Sequence, residues 1–183
     1  MTRKCRVCRN EFVPQKPMAT VCSHECALTL AASKRAKAEK VASVKAKKAD
    51  SEKRKAIKSR AQWLKEAQAA FNAFIRLRDH DLACISCGRH HQGQYHAGHY
   101  RSVGAAPELR FSEQNVHKQC APCNTHLSGN ITRYRGGLLK KLGSDVVLWL
   151  EGHHEAKHYT IQQLEAIKLE YTALAREIKK GMQ

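Results

Sequence analysis

The sequence has 183 residues, of which 27% are charged and only 6% are aromatic. Such a composition disfavours one large core and predicts smaller folded units that are stiffened by metal and joined by polar helix. The net charge of +17 indicates a polyanionic partner, with nucleic acid first and an anionic membrane surface second. A basic protein with a merely solvated surface is the alternative. The longest apolar run, residues 146–150, is too short for a membrane span, and the N-terminus has no apolar signal region, so we expect a cytoplasmic protein.

The cysteines all occur in short-spaced pairs, which is unlike the scattered pattern of secreted disulfide frameworks. In a reducing compartment, two thiolates from one tight turn supply half of a tetrahedral zinc site. Two structural zinc sites are therefore predicted. The eight ligands are Cys5, Cys8, Cys22 and Cys26 for the first site, and Cys84, Cys87, Cys120 and Cys123 for the second.

Residues 1–31 are predicted to form an N-terminal four-cysteine zinc knuckle that is too short to fold by apolar burial alone. Ser23 is placed to cap a helix that carries Cys26 onward. The sequence does not decide whether this knuckle contacts DNA or only caps the structure.

Residues 32–80 are predicted to form a long basic helical arm, as one helix or two in series, because no Pro or Gly interrupts them up to Arg78. If fully helical, residues 33–78 would reach about 70 Å. A charged linker and a phosphate-tracking arm are equally compatible with this composition. From Trp63 onward an apolar stripe is expected to pack against the next domain. Six basic residues, named here the arm cluster, are the candidate DNA contacts: Lys45, Lys47, Lys48, Lys53, Arg54 and Lys55.

Residues 81–152 are predicted to form the domain that holds the second zinc, with a strand near residues 94–100 and a helix after Asn124. Residues 153–183 are predicted to contribute a C-terminal amphipathic helix that begins with a capping box of Thr160 and Gln163. Its apolar stripe could pack on the same chain or on a second copy, so a homodimer is left open. The predicted fold class is therefore α+β.

A zinc held by four cysteines has no open position, so any chemistry in this domain needs other residues. The zinc would bring two histidine- and asparagine-bearing segments, HAGHY and EQNVH, side by side. A histidine can activate water for attack on a phosphodiester while a separate cation stabilises the leaving oxygen. The order of His99, Asn115, and then a CxxC pair followed by Asn124 resembles the pattern of HNH (ββα-metal) nucleases.

The whole chain resembles the phage NinG/Rap family of recombination endonucleases. The resemblance is carried, in order, by CRVC, CSHEC, a Lys-rich helix, AFNAFIRLRD, CISCGR, HAGHYRSVGA, LRF, CAPCNTHLSGN and LEG. It implies a small HNH-like domain that cuts branched double-stranded DNA, such as Holliday junctions and D-loops, with Mg²⁺ or Mn²⁺.

In that resemblance, His99 matches the general base, Asn115 the asparagine that orients the loop of the base, and Asn124 a contact to the cation. The departure is Gly98, because many HNH motifs have an aspartate ligand there. His96 or His126 could supply the missing ligand.

Other polar residues of the same domain have less defined expectations. Arg101 and Arg110 could grip the scissile phosphate or only line the surface, and His117 is expected to face solvent or the DNA backbone. The alternative function is a non-catalytic, zinc-stapled nucleic-acid-binding protein, in which the metal only holds segments together. A zinc-dependent assembly factor is a third reading, which would show no salt-sensitive DNA affinity.

Overall fold

The computed structural model describes residues 2–182 and has two compact units, which divide between Lys58 and Ser59. The predicted arm of residues 32–80 therefore contributes one helix to each unit. The fold is a mixture of helices and two small antiparallel sheets, as the α+β prediction requires. Among the described residues, no helix is long and apolar enough to cross a membrane.

The first unit contains a short hairpin and one long helix. Strands β1 (Arg3–Lys4) and β2 (Glu11–Phe12) pair antiparallel around the turn that carries Cys5 and Cys8. Helix α1 (His24–Ala56) begins where the hydroxyl of Ser23 accepts a hydrogen bond from the Cys26 backbone N–H. The predicted cap at Ser23 is thus confirmed, and it fixes the direction in which the helix leaves the second cysteine pair.

Helix α1 has 33 residues, none of them buried, and extends about 50 Å. It carries ten Lys or Arg residues against four Asp or Glu residues. The helix ends with Ile57 at its C-cap, and α2 (Arg60–Arg78) begins after Ser59. Ser59 and Gln62 form a capping box that satisfies the first N–H groups of α2, so two helices in series form and the continuous 70 Å rod does not.

The second unit is built on the pairing of α2 with α5 (Ile161–Gly181). The apolar stripe of α2 is buried as predicted, and Phe71 stacks edge-on against Tyr171 with ring centroids 4.7 Å apart. The predicted capping box of α5 at Thr160 and Gln163 is also present. The stripe of α5 packs on the same chain, and a homodimer stays a prediction.

The hairpin of β3 (Tyr95–His99) and β4 (Val116–Cys120) packs against α2. In it, His96 stands opposite Gln119 and His99 opposite Val116. Ala97 and Val116 pack with the core residues of α2. The other face is covered by α3 (Ile131–Leu142), where the Tyr134 hydroxyl donates to the Gly98 carbonyl and accepts from the His117 N–H. An isolated two-stranded ribbon is only marginally stable, so the helices on both faces hold the hairpin in place.

The remaining elements of the second unit are short. They are a 3₁₀ turn at Pro107–Leu109, a π turn at Pro122–His126, and helix α4 (Ser144–Glu151). A Cβ at Gly137 in α3 would overlap the backbone carbonyl oxygen of Ile85. The glycine therefore lets α3 lie directly on the first cysteine turn of this unit.

Candidate functional site

The eight cysteines form two tetrads, one in each unit, as the sequence predicts. Within each tetrad the four sulfur atoms lie within 4.8 Å of one another. A tetrahedral site with Zn–S bonds of about 2.3 Å has sulfurs about 3.8 Å apart. Cys8 and Cys22 have sulfurs 3.4 Å apart, and the sulfurs of Cys87 and Cys120 are 4.0 Å apart. Both tetrads could therefore hold zinc.

The thiols of the second tetrad differ in how readily they ionise. Burial opposes ionisation of Cys84, but the backbone N–H groups of Cys87 and Cys120 lower its pKa overall. Burial, followed by the interactions with Cys84 and Cys123, raises the pKa of Cys120 to about 12. A bound dication would favour ionisation of all four thiols, because it binds each sulfur as a thiolate.

Two further residues contact these sulfurs. His91 Nε2 lies 3.2 Å from Cys87 Sγ, and Asn130 Nδ2 donates to Cys123 Sγ at 3.4 Å. Such outer contacts orient metal ligands and tune their basicity. The sequence analysis did not single them out, although His91 follows Cys87 by four residues. The positive φ of Asn130, 47°, is visible only in the structure.

His99 lies at the end of β3 and is half-buried. Its Nε2 atom is 3.0 Å from the carbonyl oxygen of Arg110. Because a carbonyl only accepts, Nε2 carries the proton and the lone pair of the ring lies on Nδ1. Burial lowers the pKa of His99 below its usual 6.5, so the imidazole is neutral at pH 7. The ring therefore presents a basic nitrogen in a defined tautomer.

Asn115 is fully buried next to this histidine. Its Oδ1 accepts from the Arg101 N–H at 2.8 Å, and its Nδ2 donates to the carbonyls of Arg101 and Leu109 at 3.0 and 3.2 Å. These bonds close the loop between residues 101 and 109. The carbonyl of Arg110, which holds His99, directly follows that loop.

The candidate cation ligands are less tightly grouped. His96 is half-buried, and because it lies three residues before His99 on one strand, the two rings project from opposite faces. In the π turn, Asn124 is half-buried and His126 is exposed. Within residues 2–182 no third cluster of Cys, His, Asp or Glu places three ligand atoms as close together as the two tetrads do. A cation at the hairpin would therefore need amide or phosphate ligands as well.

The two predicted phosphate contacts have partners within the chain. Arg101 Nη1 donates to the carbonyls of Leu150 and Glu151 at the end of α4, each at 3.2 Å. Arg110 Nη1 donates to Gln68 Oε1 on α2, also at 3.2 Å. Both guanidinium groups retain further donors, so DNA contact by these residues stays a prediction.

The expectation that His117 faces solvent or DNA is wrong, since only 2% of its surface is exposed. The pleat of β4 points it towards the face covered by α3, where its ring lies beside Tyr134. Arg78 Nη2 and Lys141 Nζ both lie 3.0 Å from its Nδ1 atom, and its Nε2 lies 3.1 Å from the Gln114 carbonyl. Burial lowers the pKa of His117, which keeps the ring neutral.

Asp79 is the buried acid beside His117, and the sequence did not reveal it. Its carboxylate accepts from Arg78 Nη2 at 2.9 Å, from Lys141 Nζ at 3.1 Å and from the Lys118 N–H at 3.1 Å. Burial opposes ionisation, but His117 and these donors hold the pKa of Asp79 well below its usual range. This cluster, named here the Asp79 cluster, fixes the end of α2 to β4 and α3.

The arm cluster lies on α1, where it projects largely into solvent. Arg54 pairs with Asp50 at 3.1 Å and Lys55 with Glu52 at 3.6 Å, both one helical turn apart. Exposed pairs of this kind contribute little to stability and remain available to a stronger anion.

Taken together, the two cysteine tetrads and the mixed helical fold with small sheets define a class of small proteins built around candidate zinc sites. The chain belongs to the NinG family, because the family model described as bacteriophage lambda NinG protein matches residues 1–181.

Curated relatives named protein ninG support the same assignment. The relative from Escherichia phage lambda is 41% identical over 98% of this chain and 94% of its own length. That from Salmonella phage P22 is 40% identical over 97% and 94%, and that from Enterobacteria phage H19B is 42% identical over 91% and 88%. No solved structure matches the chain.

Proposed function

We propose that this phage protein is a metal-dependent, structure-selective DNA endonuclease that cuts branched recombination intermediates, such as Holliday junctions and D-loops, inside the infected cell. The reaction is attack of water on a phosphodiester, with His99 as the general base. The observation that carries the proposal is the state of His99, which is neutral, fixed in one tautomer, and has its Nδ1 lone pair unused by any contact to the described residues.

A neutral imidazole can take a proton from water only if its lone pair points at that water when the phosphate is bound. The Nε2–H bond to the Arg110 carbonyl sets the ring orientation, and Asn115 closes the loop from which that carbonyl emerges. Asn115 is therefore a positioning residue in this mechanism. It supports the base without contact to the substrate.

The two zinc sites have a structural role in this proposal, because four thiolates leave no position for water. A separate divalent cation, when bound, stabilises the negative charge on the leaving oxygen. His96, Asn124 and His126 are the side chains at the hairpin that would hold it. Both His96 and His99 lie on β3, whose outer edge pairs with no other strand among the described residues, so that edge is where this mechanism places the phosphate.

Branch selectivity has a physical basis in α1. A helix of about 50 Å with a net excess of six positive charges can contact phosphates along its whole length. At a junction, duplex arms present phosphates in several directions, so such an arm gains more contacts than on linear DNA. Selectivity for branched DNA then comes from the number of phosphates that the helix can contact, and no base needs to be recognised.

The test is cleavage of a labelled four-way junction by the zinc-loaded protein with Mg²⁺ or Mn²⁺, compared with His99→Ala. The variant should bind the junction as the wild type does and lose at least about 100-fold in cleavage rate, the usual contribution of a general base. His90→Ala, at an exposed loop histidine, is the matched control and should cut normally. Binding without cleavage by the wild type would leave the non-catalytic binding protein as the function.

A further inference from the structure

Glu151 is the last residue of α4, which is an unfavourable position for an acid. The C-terminal end of a helix carries partial negative charge, so a cation is stabilised there and a carboxylate is not. Donors from two other parts of the second unit offset this. Arg135 on α3 donates from Nε to Glu151 Oε1 at 2.8 Å and from Nη2 to Oε2 at 3.1 Å. The Tyr100 hydroxyl also donates to Oε1, so the carboxylate lies in a small anion site.

The donors of this anion site are of the kind that binds a phosphate. A guanidinium fork holds carboxylate and phosphate with the same two parallel hydrogen bonds. Burial, followed by the contact with Glu151, raises the pKa of Tyr100 to about 12, so its hydroxyl remains a donor. Arg101 adds positive charge at the same end of α4, where its Nη1 lies 3.2 Å from the Glu151 carbonyl oxygen. The Glu151 carboxylate therefore lies where a phosphate would fit.

The carboxylate can give way to a ligand, because the ion pair is accessible from solvent. The side chains of Arg135 and Glu151 are 44% and 31% exposed. Exposed pairs of this kind contribute little to stability, so a phosphate that is held by other contacts of the same DNA can displace the carboxylate at a small cost. Only the side chain of Glu151 has to rotate, since Arg101 holds the backbone at the end of α4.

We propose that Arg135 and Tyr100 form a subsite for a backbone phosphate of bound DNA, and that the Glu151 carboxylate occupies it until the DNA displaces it. The subsite rests on the DNA substrate of the function proposed above, but it does not depend on cleavage. Tyr100 directly follows His99 in the chain, yet its ring packs beside Tyr134 of α3 with the centroids 5.6 Å apart, whereas His99 contacts the carbonyl that follows the 101–109 loop. The phosphate in the subsite is therefore distinct from the one that His99 attacks.

The experiment measures binding of a fluorescent four-way junction by anisotropy, on zinc-loaded full-length protein in the His99→Ala background, which prevents cleavage. Glu151→Gln keeps the size of the side chain and removes the competing charge, so it should tighten binding about two- to fivefold, the worth of an exposed ion pair. Glu66→Gln is the matched control, because Glu66 pairs with Lys168 at 2.7 Å and the two side chains are 33% and 37% exposed. It makes the same change in net charge and should alter the affinity less than about twofold.

The two donors are tested by variants made in the Glu151→Gln background, in which the competing charge is absent. Arg135→Gln should weaken junction binding at least about threefold and reduce the slope of log K against log salt by about 1, because one phosphate contact is lost. Tyr100→Phe removes only the hydroxyl and should weaken binding in the same direction. Zinc content and the urea midpoint are measured for each variant, so a loss of folding is recognised separately.

The outcomes separate this subsite from a merely structural ion pair and from the proposed function. If Glu151 only ties α4 to α3, Glu151→Gln lowers the urea midpoint and binds the junction no more tightly than Glu66→Gln does, which would overturn the subsite. Unaltered affinity in Arg135→Gln would overturn it as well. A wild type that cuts junctions while these variants show no effect keeps the nuclease and removes the subsite. A wild type that never cuts, with the expected changes in affinity, keeps the subsite and removes the nuclease, and a chain that binds no DNA removes both.

Discussion

Asp79→Asn is the substitution whose cost follows most directly from the structure. The change keeps the shape of the side chain and one acceptor for the Lys118 N–H, but it removes the charge that Arg78 and Lys141 share. Loss of one partner from a buried ion pair costs about 3–5 kcal/mol, because the remaining charge stays desolvated. The Asp79 side chain is 3% exposed, whereas those of Arg78 and Lys141 are 22% and 30% exposed, so the two cations regain some hydration.

We therefore expect the free energy of unfolding of the second unit to fall by about 3 kcal/mol, at the lower end of that range. For a unit of this size the loss corresponds to a decrease in Tm of roughly 10–15 °C. Urea unfolding of the zinc-loaded chain, followed by tryptophan fluorescence, measures the change, since Trp63 and Trp149 both lie in this unit. Asp81→Asn is the control, because the side chain of Asp81 is 82% exposed.

The pH dependence of this effect has a definite sign. A carboxylate whose pKa is depressed on folding contributes its full stabilisation above the unfolded pKa of about 3.9 and loses it as the pH falls. The loss in free energy of unfolding caused by Asp79→Asn should thus be constant between pH 6 and pH 8. The double variant Asp79→Asn with Lys141→Met should lose less stability than Asp79→Asn alone, because it leaves one unpaired cation fewer. A deficit below about 1 kcal/mol in the single variant would refute the reasoning.

Three further outcomes are expected. Burial lowers the pKa of His99, so the ring stays neutral to a lower pH than a free histidine does. The acid limb of the pH–rate profile for junction cleavage should therefore have its midpoint below pH 6.5, and a midpoint above that value would contradict the assigned environment. Changing all of the arm cluster to Gln should weaken junction binding and reduce the slope of log K against log salt by up to about 5, with zinc content unchanged, whereas an unaltered affinity would remove α1 from DNA binding. Metal analysis should find two zinc ions per chain, one for each tetrad. The Cys8→Ser variant should retain one zinc ion, and the urea midpoint reported by Trp63 and Trp149 should not change, because both tryptophans lie in the second unit. A lower midpoint in this variant would show that the first unit contributes to the stability of the second.

Local signals account for the parts of the fold that the sequence predicted. The stripe that begins at Trp63 and the capping box at Thr160 depend on spacing within a few residues, so periodicity and hydrogen-bonding chemistry reveal them. The capping box of Ser59 and Gln62 is equally local. It explains why two helices form where the composition alone also allowed one.

The features that the sequence did not predict depend on long-range contacts. Asp79 and Lys141 form an ion pair although they are 62 positions apart in the chain, and no sequence pattern near either residue predicts it. His117 shares its face of β4 with the polar Gln119, so its burial becomes visible only when α3 covers that face. The hydrogen bond from Tyr100 to Glu151 likewise joins residues that are 51 positions apart in the chain.

The pairing of α2 with α5 sets the order in which the chain can fold during synthesis. The apolar stripe of α2 is complete once residue 78 has been made, but the helix that covers it spans Ile161–Gly181. A ribosome adds about 5–20 residues per second, so this stripe stays uncovered for several seconds at least. The first unit, by contrast, has all four of its candidate zinc ligands by residue 26. A metal could thus close the first unit well before the core of the second unit can form, and until then the apolar stripe of α2 is exposed to aggregation.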